Sequence, residues 1–124
     1  MNARTILALG AACLGLSVPT FAQNPAPATQ SLFDTAAAAF TGCLRETVKM
    51  GMITKMDPAV FKAGFARSCK SEEAGFRTQG IKVAMAQGRT ESEAIQEIDG
   101  NIANGRRIFA ADQESFITTR QIPK

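Results

Sequence analysis

Residues 40–76 read FTGCLRETVKMGMITKMDPAVFKAGFARSCKSEEAGF, and the fold turns on how this stretch is understood. Cys43 and Cys69 stand on either side of a break made by Gly51 and by Asp57-Pro58. Asp57 is a helix-capping residue, and a proline directly after it lacks only an amide hydrogen that the first turn does not use. The pattern therefore predicts a helix ending near Met50, a connection over 51–57, and a second helix starting at Asp57-Pro58.

Working outward on the N-terminal side, Phe33, Ala37, Phe40, Leu44 and Val48 fall at spacings of three and four. Such a stripe lines one face of a helix from Ser31 to about Met50, and Ala36 to Ala39 add helix propensity. On the C-terminal side Phe61, Phe65, Cys69 and Phe76 share a face of a helix expected to reach about Gln87. Gly75 and Gly80 weaken its far half, and a break is expected near Lys70 or Gly80 if anywhere. Gly88 stops it. Thr90 with Glu93 three positions later forms a capping box for a third helix to about Thr119. Its stripe is Ile95, Ile98, Ile102, Gly105, Phe109, Asp112 and Phe116, thinned or kinked where Gly100 and Gly105 fall. No stretch alternates with period two, so the fold class is all-α: a small three-helix domain, an antiparallel hairpin closed by one disulfide plus a third helix.

The two cysteines test that hairpin. In antiparallel helices the numbers of facing residues sum to a constant, and pairing Cys43 with Cys69 sets it at 112. Val48 then meets Gly64 and Phe65, Phe40 faces Glu72 and Glu73, and Phe76 lies against the small Ala36 and Ala37. Phe40 must find its contacts on the third helix. Large residues meet small ones at most levels, as close helix packing requires. A redox role is disfavoured, because dithiol oxidoreductases place cysteines two residues apart at a helix start, whereas these are 26 apart and expected mid-helix.

The beginning of the chain has the parts of a secretory signal. Arg4 supplies positive charge, Ile6 to Val18 are apolar or small, and Pro19 precedes Thr20-Phe21-Ala22. Cleavage between Ala22 and Gln23 is expected, with the protein delivered to the periplasm or secreted. The apolar run is well short of the roughly 20 residues that span a bilayer, and it continues past Cys13, unlike the run before a lipid-anchored cysteine. Residues 23–30 are expected to be a flexible Pro/Ala leader, 31–119 a single helical domain, and 120–124 a frayed tail.

Composition excludes several classes. Arg4 leaves with the signal, so the mature chain holds 13 basic and 11 acidic side chains and no Trp or Tyr. It lacks the basic stripe and stacking aromatics of a nucleic-acid binder. The absence of histidine removes the usual general base and commonest metal ligand. We expect no enzyme, and no catalytic, cofactor-binding or metal-ligating residue. Three thioethers, Met50, Met52 and Met56, offer an alternative as a copper(I) site, opposed by Lys49 and Lys55. Asp99, Asn101 and Glu114 do not follow the alternation of a calcium loop. Arg106 and Arg107 beside Gly105 have carboxylate partners on offer in Glu73, Glu91, Glu93 and Glu97.

The stretch from Ser68-Cys69 through Glu73, Phe76 and Arg77 is similar to the segment around the second cysteine of the periplasmic acid-activated chaperones of enteric bacteria. That resemblance implies a stress chaperone that exposes apolar surface in acid, with carboxylates as its switch. The cysteines of that family lie much farther apart than 26 positions. The leading expectation is a noncatalytic exported protein that binds a protein or a small apolar ligand through a helical face. A homodimer through Ile95, Ile98, Ile102 and Phe109 is a secondary expectation.

Overall fold

A computed structural model describes residues 24–119, and four helices account for most of them: α1 (Pro27–Ile53), α2 (Pro58–Phe65), α3 (Lys70–Ala86) and α4 (Glu91–Thr119). No strand occurs among the described residues. The expected signal at 1–22, its cleavage point at Ala22 and Gln23, and the tail 120–124 lie outside the described residues.

Local chemistry sets the helix ends. Pro27 opens α1 at a position that tolerates proline, so the second half of the expected flexible leader is its first turn; Gln30 Nε2 donates to Asp34 Oδ1 at 2.8 Å there. At the other end Lys55 adopts a left-handed backbone, φ 52°. Its amide donates to Met52 O, and that of Met56 to Gly51 O. This is a Schellman closure with lysine where glycine is usual. Gly88, φ 94°, closes α3 the same way, with Arg89 donating to Ala84 O and Gly88 to Met85 O. Asp57 Oδ1 accepts from the amides of Ala59 and Val60 to start α2. Thr90 and Glu93 exchange hydrogen bonds at the head of α4, the capping box expected there.

The count of three helices is corrected to four, because the expected second helix breaks at residues 66–69. The amides of Arg67 and Ser68 reach back only three residues, to Gly64 O and Phe65 O, and Cys69 is left-handed at φ 58°. The break lets α2 lie on α4 while α3 runs along α1 and α4. Beyond it α3 is continuous through Gly75 and Gly80, and α4 through Gly100 and Gly105. A regular helix needs no side chain from a glycine when its neighbours are packed.

Phe40, Leu44, Val48, Phe61, Phe65, Ile98 and Ile102 form the buried core. Cys43 and Cys69 are bonded, S–S 2.04 Å with Cα atoms 5.9 Å apart. The register they impose agrees with the expected level of Phe76. Phe76 lies between Phe33 and Phe40, ring centroids 5.3 and 5.6 Å away, flanking the Ala36-Ala37 step. Val48 and Phe65 share the core, and Phe40 meets α4 through the Arg106 guanidinium, 5.6 Å above its ring.

Of the residues expected at a dimer seam, Ile98 and Ile102 are buried in the core, while Ile95 and Phe109 are half-buried. Phe109 packs against the core cluster that holds the two buried isoleucines.

Gly51 is a site of close approach and Gly75 is not. A Cβ at Gly51 would stand 2.6 Å from the buried Phe61 ring, whereas one at Gly75 would meet nothing within 4 Å. We expect Gly51→Ala to destabilise the protein by about 1 to 3 kcal/mol through overpacking, and Gly75→Ala to stabilise it by about 0.5 to 1 kcal/mol through helix propensity. Urea unfolding of the two variants checks both signs.

Candidate binding surface

The α2–α3 joint is held by side chains from the other two helices. Eight residues make α2 too short to persist without tertiary contacts, and its end leaves carbonyls in need of donors. Arg106 of α4 supplies them, its Nη1 donating to Phe65 O at 2.8 Å and its Nη2 to Ser68 O at 2.6 Å. Its Nε donates to Glu73 Oε2 at 2.6 Å, in the first turn of α3. The guanidinium also lies 5.6 and 5.8 Å from the ring centres of Phe40 and Phe65. From the opposite side the disulfide fastens Cys69 to α1.

Arg106 and Glu73 are 14 % and 18 % exposed, so this pair is largely withdrawn from water. Burial alone raises the Glu73 pKa, but hydrogen bonds from Lys70 and Arg106, with their charges, outweigh it and hold the carboxyl below its ordinary value. Other ion pairs lie at the surface, where screening leaves them little weight. The hydrogen bond from Arg77 lowers the Asp99 carboxyl, Asp99 in turn raises Arg77, and the Thr90 amide lowers Glu93. Arg107 turns to Asn104 on its own helix.

With the joint fixed, the α1–α2 elbow becomes a firm platform for exposed apolar groups. Met50 is 54 % exposed, Ile53 64 % and Val60 62 %, and Met56 is also on the surface. Methionine suits adaptable binding surfaces because its unbranched thioether repacks easily. Lys49 pairs with Glu46, Lys62 with Glu114, and Asp57 is engaged as a cap, while Lys55 has no ion pair among the described residues.

Met50 and Met52 do not share a face of α1. Met52 packs against the core while Met50 points to solvent, as two residues apart on a helix must. The carboxylates considered for calcium are likewise dispersed, Asp99 to Arg77 and Glu114 to Lys62. Cys43, Cys69 and Glu72 have ligand-type atoms within 4.8 Å of one another. Both sulfurs there are joined in the disulfide. Cys69 caps α3 and is not mid-helix as expected, although the spacing of 26 is unlike a dithiol enzyme's.

Two residues were not legible as site residues. Gln113 is 1 % exposed and its Nε2 donates to Met56 O at 3.1 Å, tying α4 to the elbow. Its signal was its place four residues after Phe109 on the inner face of α4. The weight of Arg106 was hidden because a carbonyl acceptor leaves no mark in sequence, though Glu73 was among its expected partners. Compared with protein-family models, curated proteins and solved structures, the chain matches none.

Replacing Arg106 by Met strands Ser68 O and leaves Glu73 with Lys70 alone, and we expect a loss of about 2 to 3 kcal/mol in denaturant unfolding, the range of hydrogen bonds to charged groups. Because the Glu73 carboxyl is lowered on folding from an ordinary 4.5, its contribution is complete above that pH and disappears as pH falls through the folded value. Stability of Glu73→Gln measured from pH 7 down to pH 3 should therefore fall less steeply than that of the parent protein.

Proposed function

We propose that the chain is exported through a signal at 1–22, cut between Ala22 and Gln23, and that the mature form is a noncatalytic periplasmic or secreted binding protein. Its binding face is the α1–α2 elbow, and its ligand is a protein or a small apolar molecule. The observation that carries this reading is the set of apolar side chains turned outward at Met50, Ile53 and Val60 on a turn closed by backbone hydrogen bonds. Exposed apolar surface on a firm frame marks interaction sites. The lack of histidine accords with a role that moves no protons.

The export and the face are tested together in cells. N-terminal sequencing of the exported form should begin at Gln23. A photo-crosslinking phenylalanine analogue placed at Ile53 should give a discrete adduct, reduced by Val60→Glu, and the same group at the exposed Lys82 of α3 should give none. A retained N-terminus, or the same adducts from both positions, contradicts the reading.

An acid-activated chaperone is a second reading, favoured by one feature, the largely buried Glu73 carboxylate at the joint. Protonating it frees Arg106 and loosens α2. Light scattering of an aggregating client should then show protection at pH 3 and none at pH 7; equal scattering with and without the protein at pH 3 rejects it.

A further inference from the structure

Three metal-type donors from two helices converge beside the α2–α3 joint. The Sγ atoms of Cys43 on α1 and Cys69 at the head of α3, with a carboxylate oxygen of Glu72 in the first turn of α3, lie within 4.8 Å of one another. All three residues are half-buried. Glu73 next door is engaged by Lys70 and Arg106, whereas Glu72 has no ion pair or hydrogen bond among the described residues. The fold thus leaves an uncommitted carboxylate against the two sulfurs.

The chain is synthesised with both sulfurs as thiols, so every molecule passes through a dithiol state before the bond forms. The joint has holds that involve no sulfur. Arg106 bonds Phe65 O, Ser68 O and Glu73, and Phe76 of α3 packs on Phe33 and Phe40 of α1. These contacts keep the head of α3 beside α1. A Cys69 thiol stands there at the N-terminus of a 17-residue helix, a place that favours the thiolate. Thr47 Oγ1, 3.6 Å from Cys69 Sγ, supplies an outer-shell hydroxyl of the kind that orients metal ligands.

The spacing suits one ion. Two sulfurs bound to the same zinc at about 2.3 Å each stand about 3.8 Å apart in a tetrahedral site. With Cα atoms 5.9 Å apart, rotation of each side chain about its Cα–Cβ bond opens the pair to that distance without moving the backbone. Two sulfurs and one carboxylate oxygen fill three corners of such a site and leave the fourth to water. Calcium and magnesium are excluded by their demand for oxygen ligands.

We propose that the dithiol form of the protein binds a zinc-class divalent ion through Cys43 Sγ, Cys69 Sγ and Glu72, and that ion and disulfide are alternative clasps for the same joint. Binding releases the two thiol protons and changes no oxidation state. Oxidation closes the S–S bond instead, passing two electrons and two protons to a disulfide-exchange partner that leaves as a dithiol, and the site is lost.

The test uses the mature protein held reduced by a phosphine, with cadmium as the probe because its thiolate charge-transfer absorption reports sulfur ligation directly. The band should saturate at one ion per chain and be reversed by zinc, and the oxidised protein should give none. Glu72→Gln touches neither sulfur, yet it should weaken cadmium at least about tenfold, since loss of even an outer-shell partner costs that much. Zinc should also raise the urea midpoint of the reduced form and leave that of the oxidised form unchanged, which keeps the test decisive if reduction loosens the fold. No saturable band, undiminished binding by Glu72→Gln, or no zinc-dependent rise in the reduced protein's midpoint each overturns the site. None of these outcomes bears on crosslinking from Ile53, so the elbow stands or falls separately.

Discussion

The four residues between α2 and α3 are gripped from two sides, by the Cys43–Cys69 bridge to α1 and by the Arg106 guanidinium from α4. Residues 66–69 are where the chain changes direction, and each neighbouring helix depends on that turn. Closing a loop of this separation is worth about 3.5 kcal/mol in the chain-entropy model, a large part of the roughly 5 to 15 kcal/mol that holds a domain folded. Arg106 adds what the bridge cannot. It satisfies the carbonyls at the end of α2 and neutralises the carboxylate that begins α3, so the turn is held in one conformation as well as in one place.

Much of this architecture is legible in the residues themselves. The stripe of Phe33, Phe40, Leu44 and Val48 specifies α1, Asp57-Pro58 marks the start of α2, and the Thr90–Glu93 box starts α4. The pairing of two cysteines 26 apart predicts which levels of α1 and the following helix face each other, and Phe76 between Phe33 and Phe40 bears that out. The break before Cys69 is only half legible. A run from Phe61 to Phe76 keeps helical periodicity, and nothing local forbids one helix; the break follows from tertiary demands, with Cys69 forced left-handed so that α3 can lie along α1. Part of the stripe on α4 belongs to the core of the single chain. Ile98 and Ile102 looked like surplus apolar surface for a second copy because a hairpin alone has no third layer, yet α4 itself supplies that layer.

The candidate site was less legible than the fold for a related reason. Exposure cannot be inferred from composition, so Met50, Met52 and Met56 read as one group although the helix turns Met52 to the core and Met50 to water. Gln113 reads as an ordinary polar residue until the carbonyl it bonds is known to be that of Met56, 57 positions earlier. The elbow shares this dependence on α4. Arg106 and Gln113, seven residues apart on one helix, hold the two ends of the segment that follows it, α2 and its approach from α1.

The most direct test is a double-mutant cycle on urea-unfolding free energies, combining Arg106→Met with removal of the bridge by Cys43→Ala and Cys69→Ala. If the two grips act on one joint, loosening it by either route lowers the worth of the other, and the combined variant should lose at least about 1 kcal/mol less than the sum of the separate losses. Losses that add to within about 0.3 to 0.5 kcal/mol, the behaviour of independent sites, would contradict the account.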